Sequence, residues 1–243
     1  MRHLIIDAGN TRVKVFVFEE DSLLFDIVCA GDFLLQNLEK IFSKFVVSKI
    51  ILSSVGGINE EVVTFLSEKA PVLLLTSETK VPFVNAYGTP KTLGVDRIAL
   101  MAAASVQYSK QNVLVIDAGT CVTYDLLTKD KVYLGGAISL GLQMRYKSLN
   151  AFTEKLPKLE FLAPENLIGT NTETSIHSGV VNGLVAEING VVEQYKQQFS
   201  DLTVVLTGGD TIYLSKRLKN GIFAHPNFLI EGLHAILKHN TYE

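Results

Sequence analysis

The sequence predicts an α/β fold made of two duplicated halves, and three observations lead to it. Residues 4–15, LIIDAGNTRVKV, have a counterpart at 114–125, LVIDAGTCVTYD; Asp7 and Asp117 stand 110 positions apart, with Ile6/Ile116, Ala8/Ala118 and Gly9/Gly119 at the same spacing. Behind each copy come two further strand-like segments, KVFVF and LLFDIVCAG in one, VTYDLL and KVYLGGAISLG in the other, and Gly31 and Gly141 again stand 110 apart. The length of 243 residues suits two such halves, and the period far exceeds the roughly 20–50 residues of solenoid repeats. The halves are drawn as residues 1–110 and 111–243, packed as one body around a cleft because no Pro/Ser/Gly-rich linker separates them.

Each element has its own pattern. Three strands open each half. In DFLLQNLEKIFSKF the apolar residues Phe33, Leu34, Leu38, Ile41 and Phe42 recur at helical spacing. SKIILSS reads as a short buried strand, NEEVVTFLSEKA as a helix opening at Asn59, and PVLLLT as another strand. The Ala-rich LGVDRIALMAAASVQYSK is a helix starting near Gly94. TETSIHSGVVNGLVAEINGVVEQYKQQF is a long helix despite Gly179, Gly183 and Gly190, whose presence predicts close approach of another backbone. LTVVLTGGD reads as a strand ending in a Gly-Gly turn, followed by a helix over DTIYLSKRL.

Composition excludes several classes. The formal net charge of −3 and pI near 6.0 argue against a broadly basic nucleic-acid binder. Mean hydropathy is +0.26, yet no apolar run approaches the ~18 residues of a membrane span, and Asp7 interrupts the N-terminus before any secretory core could form. Cys29 and Cys121 cannot build a disulfide framework or an ordinary zinc site, and His3, His177, His225, His234 and His239 show no ligand spacing. These features predict a cytoplasmic enzyme with neither a membrane nor a nucleic acid as partner.

The chemistry concentrates in the turns. DAGNTRVK places a carboxylate at a strand end, followed by small and hydroxyl residues. Such a turn can hold phosphate oxygens on backbone amides while the Asp orients a hydrated metal ion. It can equally be a plain hairpin using Gly9-Asn10 for positive φ. The second copy, DAGT at 117–120, favours the first reading, because two such turns facing each other could clasp a polyphosphate. LTGGD at 206–210 and GGAISLG at 135–141 are either close backbone approaches to a ligand or simply tight turns. Neither G-x-x-x-x-G-K-S/T nor a complete dinucleotide fingerprint is present.

Taken in order, DAGNTRVK, Tyr87-Gly-Thr-Pro90, Gly94-Val95-Asp96-Arg97, DAGT, GGAI, Gly169-Thr-Asn-Thr172 and LTGGD resemble the type III pantothenate kinases. These belong to the acetate-kinase/sugar-kinase/heat-shock/actin superfamily. The resemblance runs from residue 4 to about residue 210 and leaves only the last helix without a motif. It implies duplicated actin-like (ribonuclease-H-like) halves and ATP-dependent phosphorylation of pantothenate, the first step of coenzyme A synthesis. It further implies ATP contacts at Asp7, Ala8, Gly9, Asn10, Thr11, Arg12, Val13, Lys14 and Thr120. Pantothenate would be held by Tyr87, Gly94, Val95, Asp96, Arg97 and Thr172, with Asp96 as general base. Asp117 would bind a monovalent cation, potassium or ammonium, and magnesium would accompany ATP. Thr172 would reach the neighbouring site of a homodimer. Two positions depart from the family pattern: Val95 stands where alanine is common, and Ala8 where isoleucine or valine is usual. Taken by itself, Asp96 reads as a helix N-terminal acid beside Arg97. Another small-molecule kinase of the superfamily would lack the Gly-x-Asp-Arg and Tyr-x-x-Pro pair; a non-catalytic nucleotide-binding regulator would not need Asp7, Asp96 and Asp117 together.

Overall fold

The computed structural model describes residues 1–9, 12–54, 56–57, 59–219 and 221–241. Two compact units result: Met1–Gln107 with Phe228–Glu243, and Tyr108–Asn227.

The first unit opens with β1 (Arg2–Ala8), β2 (Val13–Glu19) and β3 (Ser22–Cys29), an antiparallel meander. Next come α1 (Leu34–Lys44), β4 (Lys49–Ser54), α2 (Glu60–Lys69), β5 (Val72–Leu74), the two-residue β6 (Val84–Asn85) and α3 (Val95–Gln107). The sheet order is β3-β2-β1-β4-β5, with β4 parallel to β1 and β5 parallel to β4. Strand alternation sorts the faces. Leu4, Ile6, Val15, Val17, Ile50 and Leu52 form one core with Leu38 of α1 and Leu66 of α2. The alternate residues of β1, His3, Ile5 and Asp7, face the other way. Asn59 caps α2 as expected, its Oδ1 accepting from the Glu61 N–H at 3.0 Å. At α1 a 3-10 turn over Gly31–Phe33 precedes the helix, so Phe33, expected on the apolar stripe, is 59% exposed while Leu34, Leu38 and Ile41 are buried. The α3 helix ends at Gln107, short of the residues after it that were expected to continue it.

The second unit repeats the plan. Its meander is β7 (Asn112–Ala118), β8 (Cys121–Leu127) and β9 (Val132–Leu140), followed by α4 (Leu142–Ala151), α5 (Thr172–Gln198), β10 (Leu202–Thr207), the one-turn α6 (Thr211–Leu214) and β11 (Ile222–Ala224). These strands lie in the order β11-β10-β7-β8-β9. The two sheets share their register as well. Asp7 pairs with Ser53 on the parallel neighbour β4, and Asp117 with Thr207 on β10. Leu114, Ile116, Val204 and Leu206 pack against Ile176, Val180, Leu184 and Ile188 of α5. That buried stripe, and a capping box between Asn171 and Thr174, sustain the 27-residue helix through its glycines.

The helix expected over DTIYLSKRL is only the single turn of α6, and the glycines and the last helix bear on the sequence reading as well. Gly135 and Gly136 lie inside β9, as the strand-like KVYLGGAISLG implies, and of the two readings of GGAISLG they support close backbone approach and not a turn: a Cβ at Gly136 would stand 1.5 Å from the Tyr124 carbonyl oxygen, and a register shift beside it marks a bulge. At Gly179, Gly183 and Gly190 a Cβ would meet nothing within 4 Å among the described residues, so no backbone of this chain closes on them. The last helix, α7 (Phe228–His239), packs on α3, β1 and β4, whereas a single cut after residue 110 leaves it with the second half.

Candidate active site

Asp7, last but one in β1, is buried, and in the β1/β2 hairpin it is in register with Lys14. The Gly9 N–H donates to the Arg12 carbonyl at 3.1 Å and closes the turn; Asn10 and Thr11 lie outside the described residues. Burial pushes the Asp7 carboxyl up to about 6; Lys14 opposes the rise and the charge of Asp96 adds to it. Asp7, Lys14 and Asp96 therefore share one electrostatic neighbourhood.

Asp96 comes at the first turn of α3, its Oδ1 accepting from the Arg97 N–H at 2.8 Å. A Cβ at Gly94 would stand 2.4 Å from that same oxygen. A side chain at this position would require the carboxylate to turn away, because it folds back over the Gly94 backbone. Arg97 is buried, with its guanidinium carbon 5.4 Å from the centroid of the Tyr87 ring, and Tyr87 is seated by its N–H donating to Asn85 Oδ1 at 3.0 Å. The Gly-x-Asp-Arg and Tyr-x-x-Pro segments thus meet through a cation–ring contact.

The second turn is built differently. Asp117, last but one in β7, is in register with Thr123 of β8, and the Gly119 N–H donates to the Cys121 carbonyl at 2.9 Å. Two glycine backbones press on this turn. A Cβ at Gly208, whose φ is +95°, would stand 2.3 Å from Asp117 Oδ1 and 2.5 Å from the Ala118 carbonyl oxygen. One at Gly141, the N-cap of α4, would stand 2.2 Å from the Gly119 carbonyl oxygen and 2.3 Å from that of Thr120. The Asp210 N–H then donates to the Ala118 carbonyl at 3.0 Å, and burial raises the Asp210 carboxyl. LTGGD and the end of GGAISLG therefore converge on the second Asp-Ala-Gly turn, leaving Thr120 exposed at its tip.

A family model described as type III pantothenate kinase matches residues 3–194, a span that holds every one of these residues except the LTGGD turn. The chain is 48% identical over 239 residues to the type III pantothenate kinase of Christiangramia forsetii, covering 98% of each. The chain belongs to the type III pantothenate kinase family. Among solved structures, a Campylobacter jejuni protein described as a Baf family transcriptional activator superposes with a TM-score of 0.62 at 22% identity, each chain covered to 98%. MreB5 of Spiroplasma citri bound to ADP superposes at 0.54 with 10% identity, covering 98% of this chain and 97% of that one. Both likenesses speak for the fold alone, and the fold class is the duplicated actin-like α/β one.

Of the positions that the family motif brings to this chain, Thr172 is the first residue of α5 and lines a cavity of about 830 Å³ between α4 and α5, together with Leu149, Phe152, Ile176 and Gly179. Arg145 lines it too, and neither periodicity nor spacing singled it out. Its Nε donates to the Leu140 carbonyl at 2.9 Å and its Nη2 to Glu187, which also accepts from the Tyr124 hydroxyl at 3.0 Å. Burial alone would raise the Glu187 carboxyl, but hydrogen bonds from Arg145, Ser139 and Tyr124 hold it below the usual range. Three elements far apart in sequence make this cluster. Among the described residues no three His, Cys, Asp or Glu side chains gather as a metal cage.

Proposed function

We propose that this protein transfers the γ-phosphoryl group of ATP to the primary hydroxyl of pantothenate, yielding ADP and 4'-phosphopantothenate at the entry to coenzyme A synthesis. The observation that carries this reading is Asp96, held by Gly94 and the Arg97 N–H at the head of α3, in the same electrostatic neighbourhood as Asp7 and beside the Tyr87–Arg97 contact.

In this reading the pantothenate hydroxyl oxygen attacks the γ-phosphorus, its proton passes to Asp96, and the bond to the β-phosphate oxygen breaks with ADP leaving. Bond breaking that runs ahead of proton removal asks little of the base beyond position. Arg97, steadied by Tyr87, offers a cation to an acidic substrate, and Thr172 of a second copy of the chain would reach that substrate. Residues 7–14 and Thr120 hold the nucleotide. Magnesium would come as a hydrated ion carried on the ATP phosphates, with the buried Asp7 as the carboxylate that would orient it. Asp117 with the Ala118 carbonyl presents hard oxygen donors, which suit a potassium or ammonium ion. Among the described residues no helix is long and apolar enough to cross a membrane, in keeping with a cytoplasmic enzyme.

The homodimer belongs to the same proposal. The open Gly179, Gly183 and Gly190 positions and the 87% exposed Phe152 beside the α4/α5 cavity leave room for a second copy of this chain. Two inactive variants, Asp96→Asn and Thr172→Arg, refolded together should recover about a quarter of wild-type activity, since mixed dimers hold one intact site. No recovery, or a monomer in sedimentation, rejects the shared site. The activity itself is tested by coupled ADP release with pantothenate and by detection of 4'-phosphopantothenate. Nucleotide turnover indifferent to pantothenate would sink it.

A further inference from the structure

Helix α7 lies beyond residue 194, where the matched family segment ends, yet it touches the helix that carries Asp96. Three residues, His234 and Lys238 of α7 and Asn240 just past its end, fix the helix within the first unit through four contacts. His234 Nε2 is 3.1 Å from His3 Nδ1 on β1, and the His234 ring stacks on Phe18 of β2 at 4.5 Å. Lys238 Nζ donates to Asp21 Oδ1 at 2.7 Å, and Asn240 Nδ2 to the Lys80 carbonyl at 3.0 Å. On its other side the contact with α3 is backbone against backbone: a Cβ at Gly232 would stand 1.9 Å from the Ala99 carbonyl oxygen, 2.6 Å from its carbon and 3.3 Å from Ala103 Cβ. Ala99 is three residues, one helical turn, beyond Asp96. At the far end of α3 the Gln107 side chain donates to Glu231.

A side chain between two helices can change rotamer and absorb a shift; abutting backbones cannot. We propose that Gly232 is a positioning residue for the phosphoryl transfer: by letting the α7 backbone abut α3 at Ala99, it sets where α3 presents Asp96 and Arg97. This rests on Asp96 being the base. It gives the C-terminal helix a part in catalysis that requires no contact with substrate.

Gly232→Ala tests it. The added methyl forces the helices apart by on the order of 1 Å, and because α7 is fixed to the sheet side, α3 gives way. A displacement of that size should lower kcat roughly 10²-fold and raise the KM for pantothenate. ADP affinity, measured separately by calorimetry, should stay within about twofold, because the nucleotide turn is not on α3. A folded variant with a lower melting temperature but wild-type kcat overturns the proposal, as does equal weakening of ADP and pantothenate. Should Gly232→Ala fail to fold, Ala103→Val presses on the same seam through a side chain, and the same split is expected at roughly tenfold; wild-type kinetics there overturn the proposal equally. Asp96→Asn in the same assay separates the layers. If it stays active, the assignment of the base fails and Gly232 with it; if it is inactive while Gly232→Ala is normal, only the role of Gly232 falls.

Discussion

Asp7 and Asp117 occupy the same place in their sheets, each in register with a hydroxyl residue of the parallel neighbour, Ser53 and Thr207. Across the antiparallel hairpin they part company: Lys14 stands opposite Asp7, and Thr123 opposite Asp117. The first turn keeps a cation within its own hairpin. The second is instead gripped by the backbones of Gly208 and Gly141, while Gly31, the counterpart of Gly141 in the first half, has nothing within 4 Å of its Cβ position. Thr123 Oγ1 is buried and has no hydrogen-bond partner among the described residues. A duplicated backbone decides where a carboxylate stands, and its neighbours decide what surrounds it. That difference is one of packing: a lysine across the hairpin in the first unit, two close glycine backbones in the second.

The comparison is broken most directly at the base. Asp96→Asn should lower turnover ~10²–10⁴-fold while ADP binding is kept. Turnover close to wild type would remove the chemistry from the first unit. Asp7 gives the next largest effect, in stability. Its carboxyl titrates near 6 in the folded chain, above its ordinary value of 3.8, so the folded state holds that proton more tightly than the unfolded one. The buried charge therefore costs nothing below about pH 4, and stability is lost as pH rises through about 6. Asp7→Asn should accordingly be more stable than wild type at pH 8 by about 2–3 kcal/mol, a gain that disappears near pH 4 in urea unfolding. A gain that did not change with pH would contradict the burial argument.

The glycines sharpen the contrast. Gly208→Ala, which meets the Asp117 carboxylate and requires a positive φ, should cost about 1–3 kcal/mol in thermal unfolding and depress turnover; Gly31→Ala should stay within about 0.5 kcal/mol. Equal effects would mean that the two turns are not packed differently. A further effect is expected from the cation. Replacing potassium with sodium at matched ionic strength should reduce kcat/KM about tenfold, equivalent to about 1.4 kcal/mol. No change would leave Asp117 without a bound cation.

The parts of the fold that showed in the sequence rest on neighbours along the chain. The two Asp-Ala-Gly copies mark the first hairpin of each sheet, Asn59 marks the start of α2, and the Ile176, Val180, Leu184 and Ile188 stripe marks α5. At the site, the strand-end position of Asp7 and the helix-head position of Asp96 could be read from local pattern. The fold-back of Asp96 over Gly94 could not, nor could Gly141 closing on Thr120, because each depends on a close approach of atoms that no spacing encodes.

By itself the sequence determined the duplication, the strand and helix types and the residue chemistry at each turn, since these follow from hydrophobic period, capping and composition. Tertiary structure alone decided which of the repeated pieces touch. It placed Lys14 against Asp7, and Gly208 against Asp117. It joined Arg145, Glu187 and Tyr124 into one cluster and returned α7 to the first unit, against α3. The physical reason is that burial, close backbone approach and charge proximity are properties of distance in space, and residues 99 and 232 are near each other only after both helices have packed on the same sheet.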